Sequence, residues 1–126
     1  MRPEDALQRV VVDFLHRFMP EPPKGPAWTA INPVTLKDVR IGRKCKELGA
    51  KAGWPDLLFV WETAFFIELK APPIAGKRSG TLAKSQREQF PIIRKAGVNI
   101  YECNSLDAVV EALREQGVPL TGKVAA

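Results

Sequence analysis

The chain has 126 residues, of which 45% are apolar and 26% are charged, so it is long and apolar enough for one domain with its own core. Two cysteines and one histidine exclude a disulfide framework and a zinc cluster, and no GxxxxGK(S/T) or GxGxxG segment supports an NTPase or a dinucleotide enzyme. The sequence has no signal-peptide pattern at its start and no apolar run near the roughly 20 residues of a membrane span. We therefore expect a cytoplasmic protein that does not enter a membrane.

Positive charge is concentrated in two blocks of the chain. The net charge is +5, with +4 on residues 37–51 and +5 on residues 68–95, while the remaining segments are neutral or acidic. A polyanion, above all a nucleic acid, would suit two basic blocks around a neutral-to-acidic strand pair. A solvated helix face rich in lysine explains the same charge pattern equally well.

The N-terminal half predicts a helix, a short strand and a weaker helix. Apolar residues recur every three or four positions over Pro3–Met19, which is the period of one helix face. After a proline-rich loop, Trp28–Ile31 is predicted as a strand. Residues 36–50 weakly favour a basic helix. The residues expected to face inward from it are Leu36, Val39, Cys45 and Leu48.

The densest apolar part of the chain predicts two strands joined by a short turn. Leu57–Trp61 and Phe65–Leu69 are nearly continuous apolar runs. Such runs are typical of central strands that are covered on both faces of a sheet. We expect both strands to be of this kind.

Three charged residues at the ends of these strands need a reason, because burying an unpaired charge is costly. Glu68 and Lys70 are two residues apart in one strand and therefore share a face. A three-residue loop would pair Trp61 with Phe65. Asp56 would then lie opposite Lys70 on the same face, with Glu68 diagonal to it. A two-residue loop would turn Asp56 to the other face, so a cluster requires an odd loop or a bulge.

The C-terminal part predicts two helices separated by a strand. One helix runs over residues 82–96, and Pro91 inside it is expected to kink it or to interrupt its hydrogen bonds. Val98–Cys103 is predicted as a strand. Asn104 or Ser105 would then cap a final amphipathic helix.

The order of these elements predicts the class of fold. Helix, strand, weak helix, strand, strand, helix, strand and helix follow one another, which favours an α/β fold with a sheet flanked by helices. We expect a single domain over residues 1–117 and a flexible tail over residues 118–126.

Asp56, Glu68 and Lys70 together suit a hard divalent cation such as Mg²⁺. A site with few carboxylate oxygens leaves coordination positions for water and for a substrate phosphate. The lysine would then orient or deprotonate that water. A purely structural salt bridge among the three residues explains them as well.

The residues around this trio resemble a known group of nucleases. Gly53-Trp54-Pro55-Asp56 and, after a hydrophobic hairpin, Glu68-Leu69-Lys70 resemble the PD-(D/E)xK nuclease superfamily. Glu4 with Gln8 one turn later in the first helix is similar to a pattern of the narrower VRR-NUC (virus-type replication-repair nuclease) family. Gln86, followed by a turn at Gly97, is similar to another pattern of that family. The resemblance covers residues 4–113.

The resemblance implies a restriction-endonuclease-like αβββαβ core, with a mixed central sheet flanked by helices. It also implies that Asp56 and Glu68 bind Mg²⁺ or Mn²⁺ and that Lys70 serves the nucleophilic water. Gln86 would be a further catalytic residue that positions the site or the phosphate. The other metal ligands that it implies are Glu4 and the Leu69 carbonyl.

The function implied is that of a metal-dependent, structure-selective DNA endonuclease, bacterial or phage-encoded, which hydrolyses phosphodiester bonds. Stand-alone members of the family resemble Holliday-junction resolvases, so we expect a homodimer that acts on branched DNA. The apolar surface of that dimer would come from Trp28, Phe65 or Phe66. The basic blocks would bind the DNA backbone through Arg40, Arg43, Lys44, Lys51, Lys77, Arg78, Lys84 and Arg87.

Two other functions remain open at this stage. One is a non-catalytic nucleic-acid-binding module with a degenerate site, which the intact trio of Asp56, Glu68 and Lys70 argues against. The other is a restriction-type endonuclease, which would need a sequence-reading surface that the sequence does not indicate. A cleavage assay with a divalent metal separates the first from an enzyme.

Overall fold

A computed structural model describes residues 2–31, 39–73 and 80–122 of the chain. Within these ranges the chain forms four helices and four strands, in the predicted order. They are α1 (Pro3–Phe18), β1 (Ala27–Ala30), α2 (Val39–Glu47), β2 (Leu57–Val60), β3 (Ala64–Leu69), α3 (Lys84–Lys95), β4 (Asn99–Cys103) and α4 (Leu106–Glu115). No helix in these ranges is long and apolar enough to cross a membrane.

The four strands form one mixed sheet in the order β1-β2-β3-β4. The first three strands pair antiparallel, and β4 pairs parallel with β3. A parallel neighbour needs a crossover connection, which here contains α3. The predicted α/β fold with a mixed sheet and flanking helices is therefore confirmed.

Alternation along the strands divides the core between the two faces of the sheet. On one face, Phe59 and Ile67 are fully buried in a large cluster that includes residues of α1 and α4. On the other face, α3 packs Phe90 and Ile93 into a smaller cluster with Phe66 of β3. The end of β3 that follows Phe66 on this second face carries the charged residues of the site.

The turn between β2 and β3 differs from the predicted one by one position. Val60 lies opposite Ala64, so the three-residue loop is Trp61–Thr63 and Trp61 is not paired with Phe65. The Trp61 backbone N–H donates to the Thr63 carbonyl at 3.1 Å, and its indole N–H donates to the Gly117 carbonyl at 3.2 Å. These bonds hold Trp61 toward the end of α4 and outside the strand ladder.

This register changes which charged residues face each other. Continued past Leu57, it places Asp56 opposite Glu68, whereas the predicted register placed it opposite Lys70. The predicted common face survives, because the loop keeps an odd number of residues. The cluster of Asp56, Glu68 and Lys70 that an odd loop predicts is therefore present, but the predicted pairing of Asp56 with Lys70 was wrong.

Burial corrects two further predictions about the central strands. β3 is buried along both faces as predicted, but β2 is not, since Val60 is 49% exposed. Phe65 and Phe66 are both buried in the core, so neither offers surface to a second copy. Trp28 is half-buried and stacks on Phe59 with a ring-centroid distance of 6.2 Å.

The basic helix α2 does not pack inward as predicted. Cys45 is half-buried and Leu48 is 78% exposed. Leu36 and the side chain of Val39 lie outside the described residues. In α2 four of the nine residues are arginine or lysine, so the helix has little apolar area to remove from water and gains little free energy from packing against the core.

The C-terminal part confirms two predictions, the cap of α4 and the hydrogen bond interrupted by Pro91, and corrects one. Ser105 caps α4, because its hydroxyl accepts from the Ala108 N–H at 3.1 Å. The helix α3 continues through Pro91, which is exposed, so water can bond the carbonyl that loses its helical partner. Residues 118–122 do not form the predicted tail: Val118 is buried, and the Thr121 N–H donates to the Phe18 carbonyl at 2.6 Å. Residues 123–126 lie outside the described ranges.

Candidate active site

Four of the predicted site residues meet in one cleft at the end of the sheet. Asp56 immediately precedes β2, Glu68 and Lys70 lie at the end of β3, and Gln86 lies in the first turn of α3. All four line a cleft of about 420 Å³. The strand alternation brings the first three to one face, and α3 lies over that face.

Glu68 lies at the centre of the hydrogen bonds in this cleft. Its side chain is 2% exposed. Its Oε1 accepts from the Asp56 backbone N–H at 3.1 Å, and its Oε2 accepts from Lys70 Nζ and Gln86 Nε2, both at 2.8 Å. A buried carboxylate is tolerated because charged and polar donors replace the water that it has lost.

Gln86 fixes the position of the Lys70 ammonium. Its Oε1 accepts from Lys70 Nζ at 2.9 Å and from the Ala83 backbone N–H at 3.1 Å. Because both partners are donors, the amide must present its oxygen to them and its Nε2 to Glu68. Gln86 therefore caps the first turn of α3 and joins that helix to the site at the same time.

Asp56 is the acidic residue whose environment disfavours its charge. Burial, and then the charge of Glu68, raise the pKa of the Asp56 carboxyl from 3.8 to about 7. The bond that its Oδ2 accepts from the Leu69 N–H, at 2.8 Å, and the charge of Lys70 lower the pKa by less. Near neutral pH, Asp56 therefore holds its proton in a large share of the molecules.

The raised pKa of Asp56 predicts a pH-dependent gain in stability for Asp56→Asn in metal-free buffer. Between pH 4 and pH 7 the folded state holds a proton that the unfolded state has released, so wild-type stability falls as the pH rises. Asparagine keeps an acceptor for the Leu69 N–H and carries no charge. At pH 8 we expect the free energy of unfolding of the variant to exceed that of the wild type by about 2 kcal/mol or more. Near pH 4 we expect the two values to be equal.

Chemical denaturation in EDTA at both pH values measures this difference. Glu88→Gln, which removes an exposed carboxylate of α3, is the control and should show no such trend. A variant at Asp56 that is less stable than the wild type at pH 8 would mean that this carboxylate is a stabilising salt-bridge partner.

The donor atoms of the cleft suit a hard divalent cation. Asp56 and Glu68 offer carboxylate oxygens, and Mg²⁺ is commonly held by one or two carboxylates together with water and phosphate oxygens. The Leu69 N–H points at Asp56, and in a strand the N–H and C=O of one residue face the same neighbour, so we expect the Leu69 carbonyl on this side. To hold the ion, Asp56 would release its proton, and Glu68 would give up one of the hydrogen bonds that its carboxylate accepts.

Glu4 lines the same cleft from the first turn of α1. Its Oε1 lies 3.2 Å from the point that a Cβ on Gly80 would occupy. Across the described part of the chain, no cluster of three or more His, Cys, Asp and Glu side chains is placed to share a metal ion. Metal binding by Asp56, by Glu68, by Glu4 and by the Leu69 carbonyl therefore stays a prediction.

The predicted DNA-binding residues lie on α2, directly after it, and in the first turn of α3. All of the described ones are exposed, and Arg87 also donates to the Leu82 carbonyl at 2.8 Å. Lys77 and Arg78 lie outside the described residues. The described residues of the predicted DNA-binding set are Arg40, Arg43, Lys44, Lys51, Lys84 and Arg87.

Gly53 has a structural role that the sequence did not reveal. Its φ is +87°, and a Cβ there would lie 2.7 Å from the carbonyl carbon of Ser85 and 3.1 Å from Gln89 Cβ. Only glycine allows both the left-handed backbone and this close approach to α3. Gly53 thereby holds the segment that ends in Asp56 against the helix that carries Gln86. A glycine before Trp-Pro-Asp is visible in the sequence, but its partner helix is not.

The residue immediately before α3 offers a stabilising substitution. Ala83 is the N-cap residue, with φ −66° and ψ 161°, and it has no side-chain acceptor for the orphan N–H groups of the first turn. We expect Ala83→Ser to raise stability by about 1 kcal/mol, since serine at an N-cap accepts such a bond. Thermal unfolding measures the gain. Ala83→Val is the control, because it adds volume and no acceptor, and an equal gain from it would contradict the capping explanation.

Comparisons with protein-family models, with curated proteins and with solved structures found no match for this chain.

Proposed function

We propose that this protein is a structure-selective DNA endonuclease that depends on Mg²⁺ or Mn²⁺ and hydrolyses phosphodiester bonds. The observation that carries the proposal is the convergence of Asp56, Glu68, Lys70 and Gln86 in one cleft. These residues come from three separate elements, and two of them are buried charges held by each other. Buried charged groups in a cleft are more common at functional sites than elsewhere.

The order of elements supports the finer fold that we propose, a restriction-endonuclease-like αβββαβ core. Without α2 and α4, the chain runs α1, β1, β2, β3, α3 and β4. In this interpretation α2 is an insertion between the first two strands and α4 an addition after the core. The PD-(D/E)xK resemblance of the Gly53–Asp56 and Glu68–Lys70 segments agrees with that order.

The proposed chemistry divides the work among the residues of the cleft. Asp56 and Glu68 would hold the cation, which when bound lowers the pKa of a water and offsets charge on the phosphate. Lys70 Nζ lies between Glu68 and Gln86, so it would orient the attacking water and take part in its deprotonation. Gln86 would keep Lys70 in place when Glu68 turns toward the ion.

The surroundings of the cleft favour a phosphate backbone as the ligand. Ala83, Ser85 and Gln86 from the N-terminal end of α3 line it, and that end of a helix attracts anions. Lys84 and Arg87 lie exposed on the same turn. Contacts of this kind position a nucleic acid without reading its sequence.

We further propose that the enzyme acts as a homodimer on four-way junctions or other branched DNA. One domain of this size has one such cleft among its described residues, and a two-fold dimer would present two related sites to a junction of matching symmetry. Trp28 is the remaining candidate for the interface among those predicted. Light scattering at micromolar concentration tests the dimer, and a monomer that cuts junction and linear duplex equally would contradict both parts.

The experiment that tests the enzymatic proposal is a panel of labelled DNAs incubated with Mg²⁺ or Mn²⁺. Duplex, flap, splayed-arm and four-way junction substrates should be ranked by initial rate, with the branched forms cut fastest. Glu68→Gln is the control for a contaminating nuclease, since it keeps the shape of the side chain. Equal cutting by that variant, or no cutting by the wild type, would refute the proposal.

One observation favours a second function, a nucleic-acid-binding module without catalysis. Both Glu68 oxygens and Asp56 Oδ2 already accept bonds from protein donors, as a structural network would. In that case the chain would bind DNA with equal affinity in Mg²⁺ and EDTA and would leave every substrate intact. The enzymatic proposal instead predicts metal-dependent turnover.

Replacing Mg²⁺ by Ca²⁺ should separate binding from cleavage. Ca²⁺ is larger, takes six to eight oxygen ligands and tolerates irregular geometry, so it would hold DNA and carboxylates without placing the water well. We expect binding within about threefold of that in Mg²⁺ and cleavage reduced by a factor of about 100 or more. Fluorescence anisotropy and a gel assay on one junction measure the two quantities, and rapid turnover in Ca²⁺ alone would contradict the role given to the metal.

A further inference from the structure

The helix α2 belongs to a segment that leaves the sheet and returns to it at the candidate active site. The Ile31 N–H, after β1, donates to the Asp56 carbonyl at 2.8 Å. Before Asp56, Gly53 is pressed against Ser85 of α3. Both ends of the segment are therefore anchored beside the cleft, and Leu48, five residues before Gly53, can lie at most about 18 Å from that glycine.

The surface of α2 combines positive charge with exposed apolar side chains. From residue 40 to residue 48 no side chain is buried. Ile41 is 43% exposed and Leu48 is 78% exposed, and their spacing of seven residues places them on one side of a helix. Lys44 is exposed on the same side of the helix, one turn from each of them, and Arg43 and Lys46 are exposed on the opposite side. Such a surface complements a ligand that is both polyanionic and partly apolar.

Leu48 is held in place despite its exposure. Its N–H donates to the Lys44 carbonyl at 3.0 Å, so it continues the helix by one residue. The Gly49 N–H then donates to Lys46 at 3.0 Å and the Ala50 N–H to Cys45 at 2.8 Å, the two bonds of a Schellman motif, and Gly49 has the required φ of +104°. The leucine is therefore presented from a defined helix end.

We propose that α2 binds DNA beside the cleft and inserts Leu48, supported by Ile41, where the base stack is interrupted. Phosphates attract the arginine and lysine side chains, and apolar side chains are known to enter base steps that are already weak. A branch point or nick offers an open base face, whereas a continuous duplex must first be unstacked. This inference names the substrate class of the proposed nuclease, and its binding part does not depend on catalysis.

The test uses the wild-type chain and its variants in EDTA, so that no cleavage occurs. Anisotropy gives the affinity for a four-way junction, a nicked duplex and a continuous duplex of equal length, and 2-aminopurine at the branch reports unstacking. Leu48→Ala should weaken binding to the four-way junction and the nicked duplex about tenfold and change the affinity for the continuous duplex by less than twofold. It should also abolish the 2-aminopurine signal. Leu48→Phe should retain all three properties.

Two further variants make the result specific to this surface. Val10→Ala removes an apolar side chain that is 51% exposed on α1 and should change nothing. Lys44→Ala should weaken binding to all three DNAs alike and reduce the salt dependence of binding. A wild-type chain that binds none of the DNAs, or a Leu48→Ala chain that binds all of them as the wild type does, overturns the inference.

Other occupants of this surface would give different results. Loss of sedimentation with anionic phosphatidylglycerol vesicles on Leu48→Ala, with DNA binding unchanged, would assign α2 to a membrane surface and overturn the proposal. A change of oligomeric state on the same substitution would assign it to a second copy and overturn it too. Failure of the nuclease proposal is recognised separately, by DNA that stays intact in Mg²⁺ while the Leu48 effects persist.

Discussion

Conservative substitution of Asp56, Glu68 or Lys70 is expected to abolish DNA cleavage and to leave DNA binding nearly unchanged. Asp56→Asn and Glu68→Gln keep the shape of each side chain and remove the charge that would hold a cation. Lys70→Met removes the ammonium that lies 2.8 Å from Glu68. We expect the cleavage rate to fall by a factor of about 10² to 10⁴ or more for each variant, the range for loss of a proton-transfer group.

Binding should survive these substitutions because exposed basic residues outside the trio carry it. Lys84 and Arg87 are such residues, and Lys84→Ala should therefore show the opposite behaviour, with weaker binding and an unchanged rate at saturating DNA. Glu88→Gln and Lys95→Met are matched exposed controls on α3. Single-turnover rates and anisotropy separate the two effects. Full cleavage by any of the three trio variants would remove that residue from the mechanism.

The trio variants need a check of folding, because Glu68 and Lys70 are buried partners. Removal of one buried charge leaves the other without compensation and can destabilise a fold by about 3 to 5 kcal/mol. Combining Glu68→Gln with Lys70→Met removes both charges and should recover much of that loss. If all variants lose DNA binding while unfolding at the wild-type temperature, the trio binds DNA directly and the separation of roles given above is wrong.

Gly53→Ala is expected to cause the second large effect, on stability and on the site together. A Cβ in this left-handed conformation costs about 1 to 2 kcal/mol. At Gly53 it also meets the backbone of Ser85, with 2.7 Å to the carbonyl carbon, and such overpacking adds about 1 to 3 kcal/mol. The segment must move away from α3, and Asp56 moves with it.

Gly97→Ala is the matched control for this prediction. Gly97 has a similar φ of +93°, and nothing lies within 4 Å of its added Cβ. In chemical denaturation, both variants should show a free energy of unfolding that is lower by the strain of the left-handed backbone. Only Gly53→Ala should lose more stability than that and also cleave DNA more slowly. Equal losses of stability in the two variants would show that the backbone near Ser85 moves at little energetic cost and that this contact does not position Asp56.

Apolar periodicity by itself determined the elements, and with a loop of odd length it also determined the face on which the trio meets. The helix and strand periods placed α1, β2, β3 and α4 to within about a residue or two, and Ser105 capped α4 as its position indicated. The common face of Asp56, Glu68 and Lys70 was expected only if the loop had an odd number of residues, and the sequence left that number open. Because side chains alternate along a strand, a loop of odd length preserves that face even when its position is misjudged by one residue.

Only the tertiary structure decided which residues oppose each other and which helix covers them. Asp56 faces Glu68 in a register that leaves Trp61 in the loop, where its indole bonds the Gly117 carbonyl 56 residues further along the chain. Gln86 joins the site only because Gly53 lets α3 lie against the segment before Asp56. Such contacts depend on packing between distant segments, whereas sequence patterns report the local period. For the same reason the outward position of Leu48 was not foreseen: an apolar stripe shows that a helix has a face for a partner, but not whether the partner belongs to the same chain.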